Sequence, residues 1–165
     1  MSNENNIREM LPTDWSRIEF IYRQSLKKGN ATFTSDCPTY EEWDAGHHKD
    51  CRFVYEENTL VVGYVVISPT SAKPHYRGVV EVSVYVDENY LHKGIGTKLL
   101  NCLCQEADKL GYWTLYSSIF ANNIASIELH KKCGFRVIGY REKIAKDIFG
   151  EWQSTVIMER RNGIK

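Results

Sequence analysis

The stretch VSVYVDENYLHKGIGTKLLNCLC, residues 82–104, combines three local patterns that together constrain the fold. It begins with alternating valines, passes through a short polar turn and reaches a Gly-x-Gly step at Gly94 and Gly96. Apolar residues then recur at steps of three and four, a spacing that predicts a helix running to about Leu110. A strand therefore leads through a glycine turn into the N-terminus of a long helix.

The strand before this turn has two different faces. Within VVEVSVYV, residues 79–86, alternate positions are valines, and the positions between them are Glu81, Ser83 and Tyr85. Because successive side chains of a strand point to opposite faces, one face is predicted to pack in the core. The other face is available for chemistry.

The glycine turn and the helix start are suited to an anion. A helix N-terminus has backbone N–H groups without partners and a partial positive charge. Gly94 and Gly96 would let a phosphate approach closely, and Lys93 and Lys98 would add positive charge. The spacing is neither a Walker loop nor a dinucleotide fingerprint, whose third glycine is replaced by Leu99. The alternative is a helix start that happens to contain two glycines, and these residues alone do not decide between the two.

Strands and helices alternate along the rest of the chain. A short strand in residues 6–11 precedes a helix over about residues 13–27, and a capping box of Thr39 and Glu42 opens a second helix that should end near Lys49. Two β-rich runs flank the turn residues 58–59, which indicates a hairpin. The segment after residue 111 predicts a strand, a short helix and a final pair of strands. This order predicts an α+β (mixed α/β) fold, a single domain over residues 1–165, with a largely antiparallel sheet and helices on both faces.

Composition excludes several classes of function. Lys plus Arg and Asp plus Glu each total 21, and no block of like charge occurs, so we expect neither a nucleic-acid nor a membrane partner. No secretory signal or membrane-spanning run is present, which predicts a soluble, cytoplasmic protein. Five irregularly spaced cysteines are typical of reduced thiols. The cluster His47, His48, Asp50 and Cys51 contains metal-ligand types, but neighbouring helical residues point about 100° apart, so a solvated helix end is the preferred interpretation and no metal is predicted.

Two motifs carry a resemblance to a known superfamily. LHKGIG, residues 91–96, resembles the pyrophosphate loop of the GNAT N-acetyltransferases, and NIASIELHKKCGF, residues 123–135, is similar to their following helix. The segments GNATF, TYEEW, VEVSVYV and FGEW extend the resemblance over nearly the whole chain to the phosphinothricin and methionine sulfoximine acetyltransferase family. The resemblance implies the GNAT acyl-CoA N-acyltransferase fold, acetyl-CoA as co-substrate and a homodimer. It also implies acetyl transfer to the α-amino group of a small amino acid or analogue, by direct attack in a ternary complex.

The resemblance also implies roles for particular residues. Glu81 matches the proposed basic glutamate of the family, which acts directly or through water, and His130 stands where many members have the tyrosine that protonates the leaving thiolate. Whether His130 acts as acid or base stays open. Phe33, Arg77 and Tyr85 are candidates for acceptor binding. The positions expected at the cofactor are Val84, Tyr85, Val86, His92, Lys93, Gly94, Ile95, Gly96, Thr97, Asn123 and Ser126.

Departures from the family pattern concentrate on the acceptor side. Thr34 stands where the family commonly has glutamate, Glu151 and Ser154 replace the usual residues around Trp152, and Leu91 occupies a Gln or Arg position of the loop. The acceptor therefore stays open. The alternatives are an arsenic-containing amino acid, a polyamine, a protein N-terminus, or a non-catalytic module that binds acetyl-CoA.

Overall fold

The computed structural model describes residues 5–163, which contain four α-helices and seven strands. The helices are α1 (Trp15–Lys28), α2 (Tyr40–Gly46), α3 (Ile95–Lys109) and α4 (Ile124–Lys132). The strands are β1 (Ile7–Glu9), β2 (Phe53–Glu57), β3 (Leu60–Pro69), β4 (Val79–Val86), β5 (Thr114–Phe120), β6 (Arg136–Lys146) and β7 (Trp152–Arg161). Single 3₁₀ turns lie at Pro12–Asp14, Pro74–Tyr76 and Glu88–Tyr90.

The strands form one sheet in the order β1-β2-β3-β4-β5-β7-β6. Every neighbouring pair is antiparallel except β4 and β5, which are parallel. The predicted largely antiparallel sheet is therefore confirmed. The sequence did not predict that β7 inserts between β5 and β6.

The local signals for helix ends and turns are confirmed, with one difference in length. Helix α1 ends at Gly29, whose φ of +66° lies in the left-handed region. The Thr39 hydroxyl accepts from the Glu42 backbone N–H, and the Glu42 carboxylate accepts from the Thr39 N–H, which completes the capping box. Helix α2 ends at Gly46 instead of near Lys49, because the next residue is already extended and glycine is a poor helix former.

The sheet carries helices on both faces, as expected. The larger core lies between the sheet and α3, where Ile95, Leu99 and Leu103 are buried against the valines of β4. A smaller core on the opposite face joins Ile18 and Trp43 to β3. Strand β4 therefore has the two faces that its alternation predicts. Within residues 5–163, no helix is both long enough and apolar enough to cross a membrane.

Candidate active site

Strands β4 and β5 separate part of the way along their length. They pair only from Val79 opposite Thr114 to Glu81 opposite Tyr116. Beyond this point β4 stays paired with β3 as far as Val86, and β5 stays paired with β7. Outer neighbours thus hold both strands while their inner edges diverge, and in the described chain these inner edges lack ladder partners. We call this opening the fork.

A cavity of about 1050 Å³ occupies the fork and extends to the start of α3. Its walls are β4 from Glu81 to Val86, β5 from Ser117 to Phe120, the loop after α1, the first turn of α3 and one side of α4. This volume lies at the upper end of the range for small-molecule sites, about 300–1,000 Å³. It is large enough for an extended cofactor arm together with a small second substrate.

The N-terminus of α3 opens onto this cavity without a side-chain cap. Gly94 has a left-handed φ of +76° and makes no side-chain capping bond. The first helical hydrogen bond runs from the Lys98 N–H to the Gly94 carbonyl, at 3.1 Å. Helix geometry therefore gives the N–H groups of Ile95, Gly96 and Thr97 no intrahelical acceptor, and an anion would supply one.

The structure explains the two glycines of the loop, Gly94 and Gly96, in different ways. A Cβ built on Gly94 would meet no atom within 4 Å. Glycine at this position is therefore explained by its left-handed φ and by the open space in front of it, and not by packing. A Cβ on Gly96 would lie 2.5 Å from Leu129 Cδ1, which shows that Gly96 allows α3 and α4 to pack closely. Only Gly94 thus fits the close approach of a phosphate that the sequence suggested for both.

The lysines near this turn do not point into the cavity. Lys93 Nζ lies 3.5 Å from Glu57 Oε2 and 5.0 Å from the centre of the Tyr90 ring. Lys98 Nζ lies 5.9 Å from the centre of the Tyr55 ring. Neither lysine lines the cavity, whereas His92, whose φ is +64°, does. The uncapped start of α3 therefore supplies positive potential at this end that does not depend on Lys93 or Lys98.

Glu81 lies at the point where the fork begins, on the face of the sheet that carries α1 and α2. Its carboxylate is half-buried, lines the cavity and has no hydrogen-bond partner among the described residues. Burial raises the pKa of Glu81 above its usual value, because the charged form loses hydration. An acid group with these properties can accept a proton from a bound amine.

His130 lies on the other side of the fork and is only 2% exposed. Its Nδ1 is 2.7 Å from the Ser126 carbonyl oxygen, and its Nε2 is 2.9 Å from Ser117 Oγ. The Phe135 ring packs edge-on against the imidazole at 5.0 Å. Burial lowers the pKa of His130, although the hydrogen bond to Ser126 opposes this shift. The neutral imidazole is therefore favoured at neutral pH.

The helix residues expected at the cofactor have structural partners. Asn123 caps α4 by accepting from the Ser126 N–H at 3.2 Å, and its amide donates to the Asn30 carbonyl at 3.4 Å. Both Asn123 and Ser126 line the cavity, as do Val84 and Val86 on the free edge of β4. The structure thus brings these four predicted residues to one opening.

Aromatic side chains form the wall on the α1–α2 side. Tyr85 contacts Tyr22 edge-on at 5.6 Å and Tyr64 at 5.4 Å, and Phe33 packs against Phe120 at 4.6 Å. Burial raises the pKa of Tyr85 and of Tyr64, so both phenols stay protonated. The predicted acceptor residues Phe33 and Tyr85 therefore both line the cavity.

Arg77 is the predicted acceptor residue that the structure does not bring to this cavity. It is exposed after the 3₁₀ turn before β4, and its guanidinium carbon lies 5.5 Å from the centre of the Trp113 ring. Gly78 fixes this arrangement, since a Cβ there would lie 2.1 Å from the Trp113 ring. Within one described chain, Arg77 therefore lies on the surface and outside the cavity.

Sequence reasoning missed two contributors to the site. Nothing in TLYSSIF distinguishes Ser117 from Ser118, so the sequence predicts only a strand position for it. Asp87 was part of a polar turn, but it is buried and accepts from Arg17 at 2.6 Å and from the Asn89 N–H at 3.0 Å. Asp87 thereby ties α1 to the turn that leads into α3.

The histidines considered as metal ligands have other roles or positions. His47 Nδ1 is 2.6 Å from the Trp43 carbonyl, and its ring stacks on Trp43 at 4.6 Å. His48 instead contacts the Tyr112 ring at 5.6 Å. Among residues 5–163, no group of three or more His, Cys, Asp or Glu side chains could hold a metal ion.

Comparison with known proteins identifies relatives in sequence and in structure. Residues 12–135 match the acetyltransferase (GNAT) family. The L-methionine sulfoximine/L-methionine sulfone acetyltransferase of Salmonella typhimurium is 36% identical over 106 residues, which cover 64% of this chain and 61% of that protein. The chain therefore spans less than two thirds of the length of that relative.

Two further relatives match over nearly their whole length. The phosphinothricin N-acetyltransferase of Streptomyces coelicolor is 30% identical over 166 residues, covering 95% of this chain and 96% of that protein. The crystal structure of a phosphinothricin acetyltransferase of the GNAT superfamily from Sinorhizobium meliloti, in complex with acetyl-CoA, has a TM-score of 0.86. It is 28% identical and covers 95% of this chain and 88% of that one. The predicted fold is thus confirmed.

Proposed function

Because the chain belongs to the acetyltransferase (GNAT) family, we propose that it transfers the acetyl group of acetyl-CoA to the α-amino group of a small amino acid or analogue. Relatives named for methionine sulfoximine and phosphinothricin favour acceptors of that class. One observation carries the proposal: the fork joins an uncapped helix N-terminus to the half-buried carboxylate of Glu81 in a single cavity.

The cofactor half of this cavity has the features that acetyl-CoA requires. The free N–H groups of Ile95, Gly96 and Thr97 would hold the pyrophosphate. The unpaired edge of β4 at Val84 and Val86 would hold the pantetheine arm and donate to the thioester carbonyl. When bound, the cofactor supplies an activated acyl carbon. The other predicted positions that line this half are Tyr85, His92, Gly94, Asn123 and Ser126, whereas Lys93 would have to leave Glu57 to reach a bound cofactor.

Glu81 is the proposed base for the acceptor. An amino-acid ammonium with a pKa of about 8 must lose a proton before its nitrogen can attack. Burial raises the pKa of the Glu81 carboxylate, which makes it a stronger base than an exposed glutamate. Its proton transfer occurs directly or through one water, and Phe33 and Tyr85 would enclose the acceptor side chain.

Direct attack in a ternary complex is favoured over a cysteine-linked intermediate. No cysteine of the described chain lines the cavity. Burial raises the pKa of Cys104 to about 12 and also raises that of Cys133, which makes both thiols poor nucleophiles at neutral pH.

A second candidate acceptor is an amine without a carboxylate, such as a polyamine. No arginine lines the cavity within residues 5–163, whereas Glu81, Glu88 and Glu128 do, together with Lys28 and Lys132. A cationic acceptor would be attracted by the three carboxylates. An amino-acid carboxylate would instead need one of the lysines or a group from outside this chain.

The test is release of free thiol from acetyl-CoA with a panel of acceptors. Methionine sulfoximine, phosphinothricin, glutamate, methionine and spermidine are each assayed beside calorimetric binding of acetyl-CoA. We expect turnover with the glutamate analogues. Turnover with spermidine alone would favour the second candidate, and acetyl-CoA binding without turnover on any amine would overturn the enzymatic proposal.

We also expect the protein to form a homodimer through the β6–β7 hairpin. Val137, Ile138, Tyr140 and Trp152 on these strands are each about half exposed or more, although apolar groups of this size usually pack. Light scattering at micromolar concentration tests this expectation, and a mass of one chain would contradict it.

A further inference from the structure

Ser117 joins the two strands at the point where they part. It is the first β5 residue beyond the last ladder pair, Glu81 opposite Tyr116. Its hydroxyl lies 3.4 Å from the Val82 carbonyl and 2.9 Å from His130 Nε2. Ser117 therefore stands between the imidazole and the free edge of β4, and it lines the cavity opposite the Glu81 strand.

The hydrogen bonds of His130 fix which nitrogen carries its proton. The Ser126 carbonyl at 2.7 Å is an acceptor only, so Nδ1 must donate to it. In a neutral imidazole Nε2 is then the bare nitrogen and accepts a hydrogen bond. The Ser117 hydroxyl supplies that bond, since 2.9 Å to Nε2 is within normal hydrogen-bond range and 3.4 Å to Val82 is long.

The hydrogen bonds around the imidazole leave one nitrogen, Nε2, that can accept a proton. Its described hydrogen-bond partners are Ser117 on β5 and Ser126 on its own helix, with Phe135 against the ring. The titratable groups on the elements around it include Glu81 on β4 and Glu128, Lys131 and Lys132 on α4, and none of them makes a hydrogen bond to the ring. His130 lines the cavity but is only 2% exposed, and its one unprotonated nitrogen, Nε2, is covered by the Ser117 hydroxyl.

We propose that Ser117 relays protons between His130 and the reacting atoms, so that Ser117 is the catalytic contact and His130 a positioning residue that acts through it. This inference rests on the proposed acetyl transfer. An ammonium acceptor loses two protons when it becomes an amide, and Glu81 takes the first. The second leaves the nitrogen for Ser117 Oγ as the serine's own proton passes to His130 Nε2. His130 then returns a proton through Ser117 to the leaving sulfur, so that the N–H bond is replaced by an S–H bond and His130 ends neutral.

Kinetics of single and double variants test the relay. Ser117→Ala and His130→Gln are each expected to lower kcat by about 10²-fold while the affinity for acetyl-CoA changes little. Because the two residues form one path, the double variant should be no slower than either single variant. Both variants should also lose the same limb of the pH profile of kcat. Ser16→Ala, an exposed helix serine, is the matched control.

A multiplicative loss in the double variant, or an unchanged profile in Ser117→Ala, overturns the relay. If the wild-type protein acetylates no amine on the panel, the proposed function fails instead, so the two failures are distinguishable.

A second measurement needs no turnover. Nitrogen NMR of the His130 imidazole in the unliganded protein should show a protonated Nδ1 and a bare, hydrogen-bonded Nε2. In Ser117→Ala the Nε2 resonance should move while the Nδ1 resonance stays in place. A proton on Nε2, or an Nε2 shift insensitive to Ser117, would overturn the arrangement whatever the kinetics show.

Discussion

The two halves of the cavity are built by different means. The proposed cofactor half comprises the loop and first turn at residues 91–97, the β4 edge at Val84 and Val86, and Asn123. The contacts we propose for it would be largely backbone N–H groups, so many of its side chains could vary without loss of the site. The proposed acceptor half comprises Glu81, Tyr85, Phe33 and Tyr64, which are side chains from several distant segments.

This difference explains where sequence motifs are strong and where they are weak. A backbone site demands glycine and helix geometry at fixed spacing, which a short motif records. A side-chain site can be assembled in many ways around one sheet face, so we expect substitutions in it to change the acceptor without altering the fold. We infer that members of such a family share the cofactor and differ in the amine.

The largest expected effect is in the acceptor half, at Glu81. Glu81→Gln should lower kcat by about 10²-fold or more, since a positioned base contributes about 10²–10⁴-fold. The affinity for acetyl-CoA, measured by calorimetry, should stay within about twofold. Because burial raises the pKa of Glu81, the acidic limb of the wild-type pH profile should lie above pH 4.5 and disappear in the variant.

Glu106→Gln at the far end of α3 is the matched control, because its surface ion pair with Lys109 contributes little. Equal losses in acetyl-CoA affinity and in kcat for Glu81→Gln would contradict the division of the cavity into two halves.

The next-largest effect is expected on stability, at Asp87, which supports the cofactor half of the cavity. Asp87 is buried, which by itself raises its pKa, but hydrogen bonds from Asn89, Arg17 and Gln24 together lower it below 3.8. Asp87→Asn removes the charge and should lower the free energy of unfolding by about 2–3 kcal/mol at pH 7. The ionised carboxylate stabilises the fold above its unfolded pKa and loses this contribution as pH falls through the lower folded pKa.

Urea unfolding of wild type and Asp87→Asn should therefore differ fully at pH 7 and converge below about pH 4. Asp36→Asn, at an exposed loop position, should change stability by less than about 0.5 kcal/mol. A difference that persists unchanged into acid would mean that Asp87 acts by shape and not by charge.

The glycines of the loop separate packing from ligand approach. Gly96→Ala should lower the free energy of unfolding by about 1–3 kcal/mol, because the new Cβ would lie 2.5 Å from Leu129 Cδ1. In a Leu129→Ala background the same change should have little effect. Gly94→Ala should lower the free energy of unfolding by about 1–2 kcal/mol in either background, because alanine is strained at this left-handed φ. If truncation of Leu129 does not rescue Gly96→Ala, close packing is not the reason for Gly96.

Local structure was predictable wherever a short pattern determines it. Three such features depend only on residues within one or two turns: the capping box at Thr39, the left-handed end of α1 at Gly29 and the apolar spacing of α3. The turn at Asn58 and Thr59, with φ of 50° and 69°, is likewise local. These features specify elements, and the family motifs then specify the fold.

Long-range contacts were not predictable in this way. The β6–β7 hairpin could have placed either strand beside β5, and nothing local selects β7. The contact of Ser117 with His130 spans 13 positions, and the pair of Arg17 with Asp87 spans 70. The sequence places Ser126 and His130 one helical turn apart, but the buried setting of the ring depends on the whole sheet.

The smallest effect is expected for Arg77→Ala. Its effect on the acceptor KM tests where the acceptor half ends. A bidentate pair with a substrate carboxylate would contribute more than a tenfold change in affinity, about 1.4 kcal/mol or more. Its guanidinium instead lies over Trp113, outside the cavity. Arg77→Ala should therefore change the acceptor KM by less than about twofold and leave kcat unaltered, measured with methionine sulfoximine at saturating acetyl-CoA.

Arg23→Ala, on the exposed side of α1, provides a second surface arginine for comparison, since its surface ion pair with Glu19 contributes little. If Arg77→Ala alone raises the acceptor KM tenfold or more, the single-chain cavity is incomplete and Arg77 must reach an acceptor from outside it. In the homodimer that we expect, the only route is across the subunit boundary. The same variant would then keep its tenfold effect on an amino acid and lose it on an amine that has no carboxylate, which separates charge recognition from a general disturbance of β4.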